Sequence, residues 1–376
     1  MTATLTTVPF TVPAFTDAAR DAALRVLDSG WTTTGPECAA FEAEFAQSLG
    51  VDDIITVASC TQGLELSLRA LRLPTGSAVL TPSLTFSGAV AAIVHAGHRP
   101  VLVDVDERTL VPDERTVAAA AHRANPAAAM VVCHLGGYPL DVPALAAAAG
   151  LPRSRVVEDA AHGPGGDVTG RDSVAACFSF YATKNLPVGE GGAVATNDPE
   201  IADWLRSARL HGMTKDAWRR YLPGGTWRYD VPQIGLKANL TDLQAAIARA
   251  QLPALAGWQV RRAELVARYD TALHELVQLP PRHPGHAWHL YQLQVRDRDA
   301  VAAQLAEAGI GTSVHFIPVH QLTGYARLFG QEECRQVPVT DRVAANLLSL
   351  PLYPLLRDGE QDLVIDAMTT IVRGIG

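Results

Sequence analysis

The sequence predicts an α/β protein, with a large domain built on a mostly parallel sheet flanked by helices and a smaller α+β domain at the C-terminus. Three observations predict it. From about residue 54 to residue 195, short β-branched runs alternate with longer amphipathic segments, the pattern of βαβ units. With 376 residues, 48% of them hydrophobic, the chain has apolar material for two domains, or for one large domain with an appendage. After about residue 250 the alternation stops, so the boundary is expected there, with 1–250 as the large domain and 251–376 as the small one.

The first predicted element is a helix that Thr16 caps and Gly30 ends. Strands are expected at Ile54–Ala58, Ala78–Thr81, Val101–Asp104, Met130–His134, Arg155–Glu158, Ala175–Tyr181 and Ala193–Thr196. Of the helices between them Thr61–Leu71 is typical, with Leu64, Leu68 and Leu71 recurring at helical spacing. The alanine-rich Val117–Ala129 reads as ordinary helix and loop. A second stripe runs through Leu240, Leu243, Ile247 and Gln251. A long helix through Trp258 and Tyr269 then leads to a Pro/His-rich linker, Pro280–His286. A strand, a helix, a strand and two closing helices are expected to complete the chain.

Composition excludes several classes of function. No apolar run reaches the length of a membrane span, and Met1–Pro13 lacks the basic patch and apolar stretch of a signal peptide, so a cytoplasmic protein is expected. The formal charge of -8 argues against a nucleic-acid partner. Five scattered cysteines (Cys38, Cys60, Cys133, Cys177, Cys334), with no Cys-x-x-Cys spacing, indicate neither a disulfide framework nor a metal site and read as small buried hydrophobes.

Three segments at the ends of predicted strands carry chemistry, since open parallel sheets bind ligands there. In Ser59-Cys-Thr-Gln-Gly63 a turn of small and polar residues opens a helix, whose first N–H groups make a phosphate cradle. Taken alone, the turn reads simply as a helix start. In Val156-Val-Glu-Asp-Ala-Ala-His162 an acid ends a buried strand and needs a partner, a role that a protonated ring nitrogen fills. Alone, Asp159 reads first as a helix cap or salt-bridge partner, and His162 as a packing residue.

In the third segment, Phe178-Ser-Phe-Tyr-Ala-Thr-Lys-Asn-Leu-Pro-Val-Gly-Glu-Gly-Gly192, Lys184 follows an apolar strand and precedes a glycine-rich turn. A lysine desolvated there loses its proton more readily and becomes a nucleophile toward a carbonyl. A phosphate cradle with Ser179, an acid for a ring nitrogen and an amine for an aldehyde together describe pyridoxal 5′-phosphate. Phe86 adds an aromatic face for the ring, although alone it reads as a core residue. The run Gly163-Pro-Gly-Gly-Asp-Val-Thr-Gly170 has Val168 where a dinucleotide fingerprint needs glycine, and no P-loop is present.

On these residues the chain resembles the DegT/StrS-type nucleotide-sugar aminotransferases, pyridoxal-phosphate enzymes of the fold-type I architecture of aspartate aminotransferase. The likeness also takes in Leu27-Asp-Ser-Gly-Trp-Thr-Thr-Thr-Gly-Pro36, Pro82-Ser-Leu-Thr-Phe86, His211-Gly212 and Val314-His-Phe-Ile-Pro318. It implies that Lys184 holds the cofactor aldehyde, Asp159 pairs with the ring nitrogen and Phe86 stacks on the ring. His162 is implied to stand near the phenolic oxygen, and Thr61, Gln62 and Ser179 to take the phosphate. It further implies a homodimer with shared active sites.

In the family a Gly-x-Asn-x-Arg segment reaches the partner's site. Here the segment is Gly235-Leu-Lys-Ala-Asn239, so Lys237 stands at the asparagine position, and either Lys237 or Asn239 can meet a phosphate oxygen. Cys60 likewise replaces a glycine usual in the phosphate turn, and the resemblance places it among the cofactor contacts.

The implied reaction moves an amino group from L-glutamate to a nucleotide-linked keto sugar, a 4-keto-6-deoxysugar first, with a 3-keto sugar or a keto-cyclitol as the alternative. Trp31, Thr32, Glu190, Arg219, Arg220, Arg228 and His315 are the candidate substrate contacts. Together with Lys215, the three arginines read either as diphosphate ligands or as a solvated loop, and His315 either as pocket lining or as a core histidine. Members of the family that act as dehydratases carry histidine at the lysine position, so Lys184 argues for amino transfer. Lys184 and Asp159 together also argue against a sensor that only binds the cofactor.

Overall fold

A computed structural model describes residues 7–214 and 228–375. Two helices, α1 (Asp17–Ser29) and α2 (Pro36–Leu49), precede strand β1 (Asp53–Val57). The alternating part follows as α3 (Cys60–Ala70), β2 (Ala78–Pro82), α4 (Ser87–His95), β3 (Arg99–Val103), α5 (Glu114–Ala124), β4 (Ala127–Cys133), α6 (Val142–Ala148), β5 (Val156–Asp159), β6 (Ala175–Ser179), β7 (Gly192–Thr196) and α7 (Pro199–Ala208). The seven strands form one sheet in the order β1-β7-β6-β5-β4-β2-β3. Strands β3, β2, β4, β5 and β6 run parallel, while β7 is antiparallel to both its neighbours. The sheet is therefore mostly parallel, as the sequence predicts.

Side chains alternate between its faces. Ile55, Val57, Val131, Val157 and Val194 pack with Leu64 and Leu68 of α3 and Leu205 of α7 on one side. On the other, Ile54, Ala176 and Phe178 pack with Phe41 and Phe45 of α2. Burial on both faces is the reason these strands read as continuous apolar runs. Helix α1 has the predicted ends: Thr16 Oγ1 accepts the Ala19 N–H at 3.1 Å, and Gly30 takes a left-handed φ of 71°.

Helix α8 (Asp242–Gln251) opens on a capping box between Thr241 and Gln244, so Leu240 lies just outside the helix that its stripe suggested. The rest comprises α9 (Leu255–Leu273), β8 (Tyr291–Gln294), α10 (Arg298–Glu307), α11 (Thr323–Cys334), α12 (Pro338–Ala344), β9 (Leu347–Leu350) and α13 (Asp358–Ile375). β8 and β9 pair antiparallel. Three helices therefore lie between these strands and one closes the chain, a correction to the expected order. The apolar run Leu347–Leu350 is short enough to pass for part of a helix; it is a strand because β8 offers it a partner. Similarly, Ala127–Ala129 belongs to β4 rather than to a helix and loop.

Candidate active site

Asp159 ends β5, Ser179 ends β6, and Cys60 starts α3 just after β1, so three chain segments converge at one edge of the sheet. Lys184 sits in the connection from β6 to β7. There the Lys184 N–H donates to the Tyr181 carbonyl at 2.9 Å and the Ala182 N–H to the Gly189 carbonyl at 2.9 Å. Gly189 has a φ of 106°, a left-handed conformation that favours glycine. Gly192 serves close approach: a Cβ there would lie 2.7 Å from the backbone nitrogen of Cys60. The lysine loop and the head of α3 can meet only because that side chain is missing.

Lys184 and Asp159 open into one cavity of about 400 Å³. Ser59, Cys60 and Thr61 line it at the head of α3, and Ser179 at the end of β6. Ser59 Oγ caps the helix by accepting the Gln62 N–H at 3.2 Å. Phe86, 57% exposed, lies at the cavity with its ring 5.8 Å from that of Phe316. His162 lies on the same wall, its ring 6.0 Å from Phe316. Glu190 and His315 complete the sequence-predicted residues in the lining, so His315 is a pocket residue.

The electrostatics follow from burial. Desolvation holds the Lys184 amine below the ordinary lysine range, opposed by the nearby Asp159 carboxylate. Desolvation raises Asp159, opposed by the Ala161 N–H that donates to its Oδ1 at 3.1 Å and by Lys184. Its hydrogen bonds fall on Oδ1; Oδ2 and the Lys184 Nζ have none among the described residues. Burial also holds His162 well below its ordinary value, with Lys184 adding to the effect. Its Nδ1 accepts the Gly136 N–H at 3.1 Å.

These groups fit pyridoxal phosphate. An unpaired amine and an unpaired carboxylate oxygen face one space, and a capped helix start with uncommitted N–H groups flanks it. Among the described residues, no cluster of His, Cys, Asp or Glu has the arrangement of a metal site.

Other predicted residues lie elsewhere. Gln62, Trp31 and Thr32 are outside the cavity lining, and the Trp31 Nε1–H donates to the Thr34 carbonyl at 3.3 Å. Lys237 Nζ donates to Asn239 Oδ1 at 2.5 Å, and Asn239 Nδ2 to Thr34 Oγ1 at 2.6 Å; neither residue lines this chain's own cavity. Arg228 is exposed and outside the lining, while Lys215, Arg219 and Arg220 fall outside the described residues.

The structure adds lining residues that spacing did not indicate: His289, Phe316 and Cys133. Cys60, expected among the cofactor contacts as part of the phosphate turn, lines the cavity and points its thiol at Asp159. Of the five cysteines, Cys334 is only half-buried, a correction to the expectation that all are buried.

A parallel-sheet fold whose strand ends set an unpaired lysine across a cavity from an unpaired acid defines an aldehyde-cofactor enzyme of the pyridoxal-phosphate class. The particular family follows from comparison: residues 14–369 match the DegT/DnrJ/EryC1/StrS aminotransferase family, and the chain belongs to it. It is 41% identical to the spore coat polysaccharide biosynthesis protein SpsC of Bacillus subtilis (strain 168), across 98% of this chain and 97% of that protein. The fold matches the putative sugar aminotransferase Spr1654 from Streptococcus pneumoniae in its PMP form, with a TM-score of 0.90 at 27% identity, covering 98% of this chain and 100% of that one. DesV of S. venezuelae, solved in complex with a ketimine intermediate, matches with a TM-score of 0.84 at 34% identity over 97% of this chain and 99% of that one.

Proposed function

We propose that this enzyme moves the amino group of L-glutamate to the carbonyl carbon of a nucleoside-diphosphate keto-deoxysugar, a 4-keto-6-deoxysugar ahead of a 3-keto sugar or a keto-cyclitol. The observation that carries the reading is the pairing of Lys184 and Asp159 across one cavity. The sugar acceptor is supported by a polysaccharide-biosynthesis relative and by sugar-aminotransferase neighbours.

Pyridoxal 5′-phosphate, when bound, supplies an aldehyde and an electron-withdrawing ring. The residues of this chain do the rest. The N–H groups at the head of α3 and the Ser179 hydroxyl take a phosphate, and Phe86 covers a ring face. Asp159 meets a protonated ring nitrogen with the oxygen it has free and, as its counter-ion, is held ionised there. Lys184, kept readily deprotonated by burial, would hold the aldehyde and, when free, would carry a proton from the carbon bearing the amino group to the carbon on the other side of that nitrogen.

The protein acts in the cytoplasm as a homodimer whose partner's Lys237 or Asn239 completes the phosphate site. Exposed Tyr229, Val231 and Ile234, just before that segment, support an apolar contact there. Some of Lys215, Arg219, Arg220 and Arg228 meet the diphosphate. Unchanged sugar-nucleotide affinity after replacement of all four would remove that assignment.

The experiment is a panel of keto-sugar nucleotides incubated with enzyme and glutamate, read by product mass and NMR. Gain of nitrogen on one sugar identifies the acceptor. Amination of none of them, from an enzyme that still converts glutamate to its keto acid, removes the nucleotide-sugar assignment.

A further inference from the structure

The proposed reaction uses Lys184 and Asp159 and leaves His289, also in the cavity lining, without a role. His289 precedes β8, is 6% exposed, and its ring lies 4.4 Å from that of His162. Each ring has one nitrogen already committed. The Gly136 N–H donates to His162 Nδ1, so that nitrogen carries the lone pair and a neutral ring carries its hydrogen on Nε2.

His289 is the reverse. Asn185 Nδ2 donates to the carbonyls of Pro164 at 3.0 Å and Ala287 at 2.8 Å, which fixes the amide and leaves Oδ1 as acceptor. His289 Nδ1 lies 3.1 Å from that oxygen and must donate to it. A neutral His289 ring then holds its lone pair on Nε2.

Neither Nε2 has a hydrogen-bond partner among the described residues, and both rings line the cavity that holds Lys184. Both rings are kept neutral chiefly by burial. The groups facing His289 act the same way, since His162, Lys184, Arg262 and His315 all disfavour a second hydrogen on it. Asp159 and Glu190 are the acids in the cavity wall. Arg262 is itself occupied, donating to the carbonyls of Trp288, His289 and Leu352.

We propose that His289 is a positioning residue that offers an acceptor nitrogen to a hydrogen of the Lys184 amine, facing the donor nitrogen that His162 offers to the same cavity. An amine that must take a proton from carbon needs its lone pair aimed, and an N–H directed at His289 sets that aim. Asn185 makes the coupling short. It fixes the hydrogen of His289 and is also the residue next to Lys184 in the chain. The catalytic consequence rests on the aminotransferase reading, whereas the two tautomers are properties of the protein alone.

The first test is long-range ¹H–¹⁵N NMR of protein labelled in its histidine rings, with His162→Gln and His289→Gln assigning the signals. We expect hydrogen on Nε2 of His162 and on Nδ1 of His289, with neither ring titrating between about pH 5.5 and 8.5. The same tautomer in both rings, or an imidazolium at His289 at neutral pH, overturns the proposal.

The second test is the glutamate half-reaction. His289→Phe keeps the ring contact and slows the reaction about tenfold with cofactor affinity retained, whereas His289→Gln, with an acceptor oxygen at similar reach, recovers to within about threefold. Equal rates for the two variants remove the positioning role. A wild-type enzyme inert toward glutamate overturns the proposed function and the catalytic consequence with it, while the NMR result still decides the tautomers.

Discussion

The Sγ of Cys60 lies 3.6 Å from Oδ1 of Asp159 and 3.1 Å from the backbone carbonyl oxygen of Cys177, so the residue that starts α3 touches the acid that ends β5. Burial pushes this thiol far up, and the Asp159 charge adds to the effect, so it remains a neutral, weak donor. We expect Cys60→Ala to lower turnover by no more than about threefold, as suits a weak hydrogen bond to a group held by others. A loss of about a hundredfold in steady-state kinetics contradicts that subordinate role.

Asp159→Asn keeps the shape of the side chain and removes its charge. We expect the proton-transfer step to slow by something like 10³, roughly 4 kcal/mol. Stopped-flow absorbance after mixing with glutamate measures it, and a rate within a few-fold of wild type contradicts the assignment.

Gly192→Ala places a methyl group 2.7 Å from backbone atoms of Ser59, Cys60 and Phe178, so the helix head and the strand beside it must shift to relieve it. Cofactor affinity is therefore expected to fall at least about tenfold, since the cradle shifts directly. Equilibrium dialysis checks this, and unchanged affinity contradicts the close approach.

Buried histidines set the acid side of stability. His162 and His289 are held well below their ordinary values, His286 down to about 3 and His315 to about 4, in each case chiefly by burial. Below pH 6.5 the unfolded chain binds protons at these positions that the folded chain refuses, so stability rises with pH toward 6.5 and falls on acidification. Each such histidine contributes up to about 1.4 kcal/mol per pH unit in that window. Urea midpoints at pH 7 and pH 5 measure the slope, and replacing His286 with Phe is expected to flatten it. An unchanged slope contradicts the attribution.

Most of the seven-stranded sheet was legible because its strands are buried on both faces. Predicted Ile54–Ala58 became Asp53–Val57, and predicted Ala78–Thr81 became Ala78–Pro82. Thr16 and Gly30 marked the ends of α1 because capping is local chemistry. Lys184 and Asp159 were legible together, since each ends or follows a strand and the sheet brings strand ends to one edge.

What spacing did not carry was long-range. His289 lies 105 residues beyond Lys184 and enters the cavity through its hydrogen bond to Asn185, a contact no local pattern announces. The pairing of β8 with β9 across three intervening helices is likewise set by tertiary packing. Lys237 and Asn239 hydrogen-bond each other away from this chain's cavity, so the role proposed for them in a partner's site rests on resemblance alone.

The proposed enzyme depends on Lys184 as the amine that captures the cofactor. Borohydride reduction of the enzyme loaded with pyridoxal phosphate, followed by peptide mass analysis, tests it most directly. The cofactor mass is expected on the peptide carrying Lys184 and on no other, with Lys184→Ala folded, unlabelled and inactive. A label on a different lysine, or normal turnover by Lys184→Ala, contradicts it.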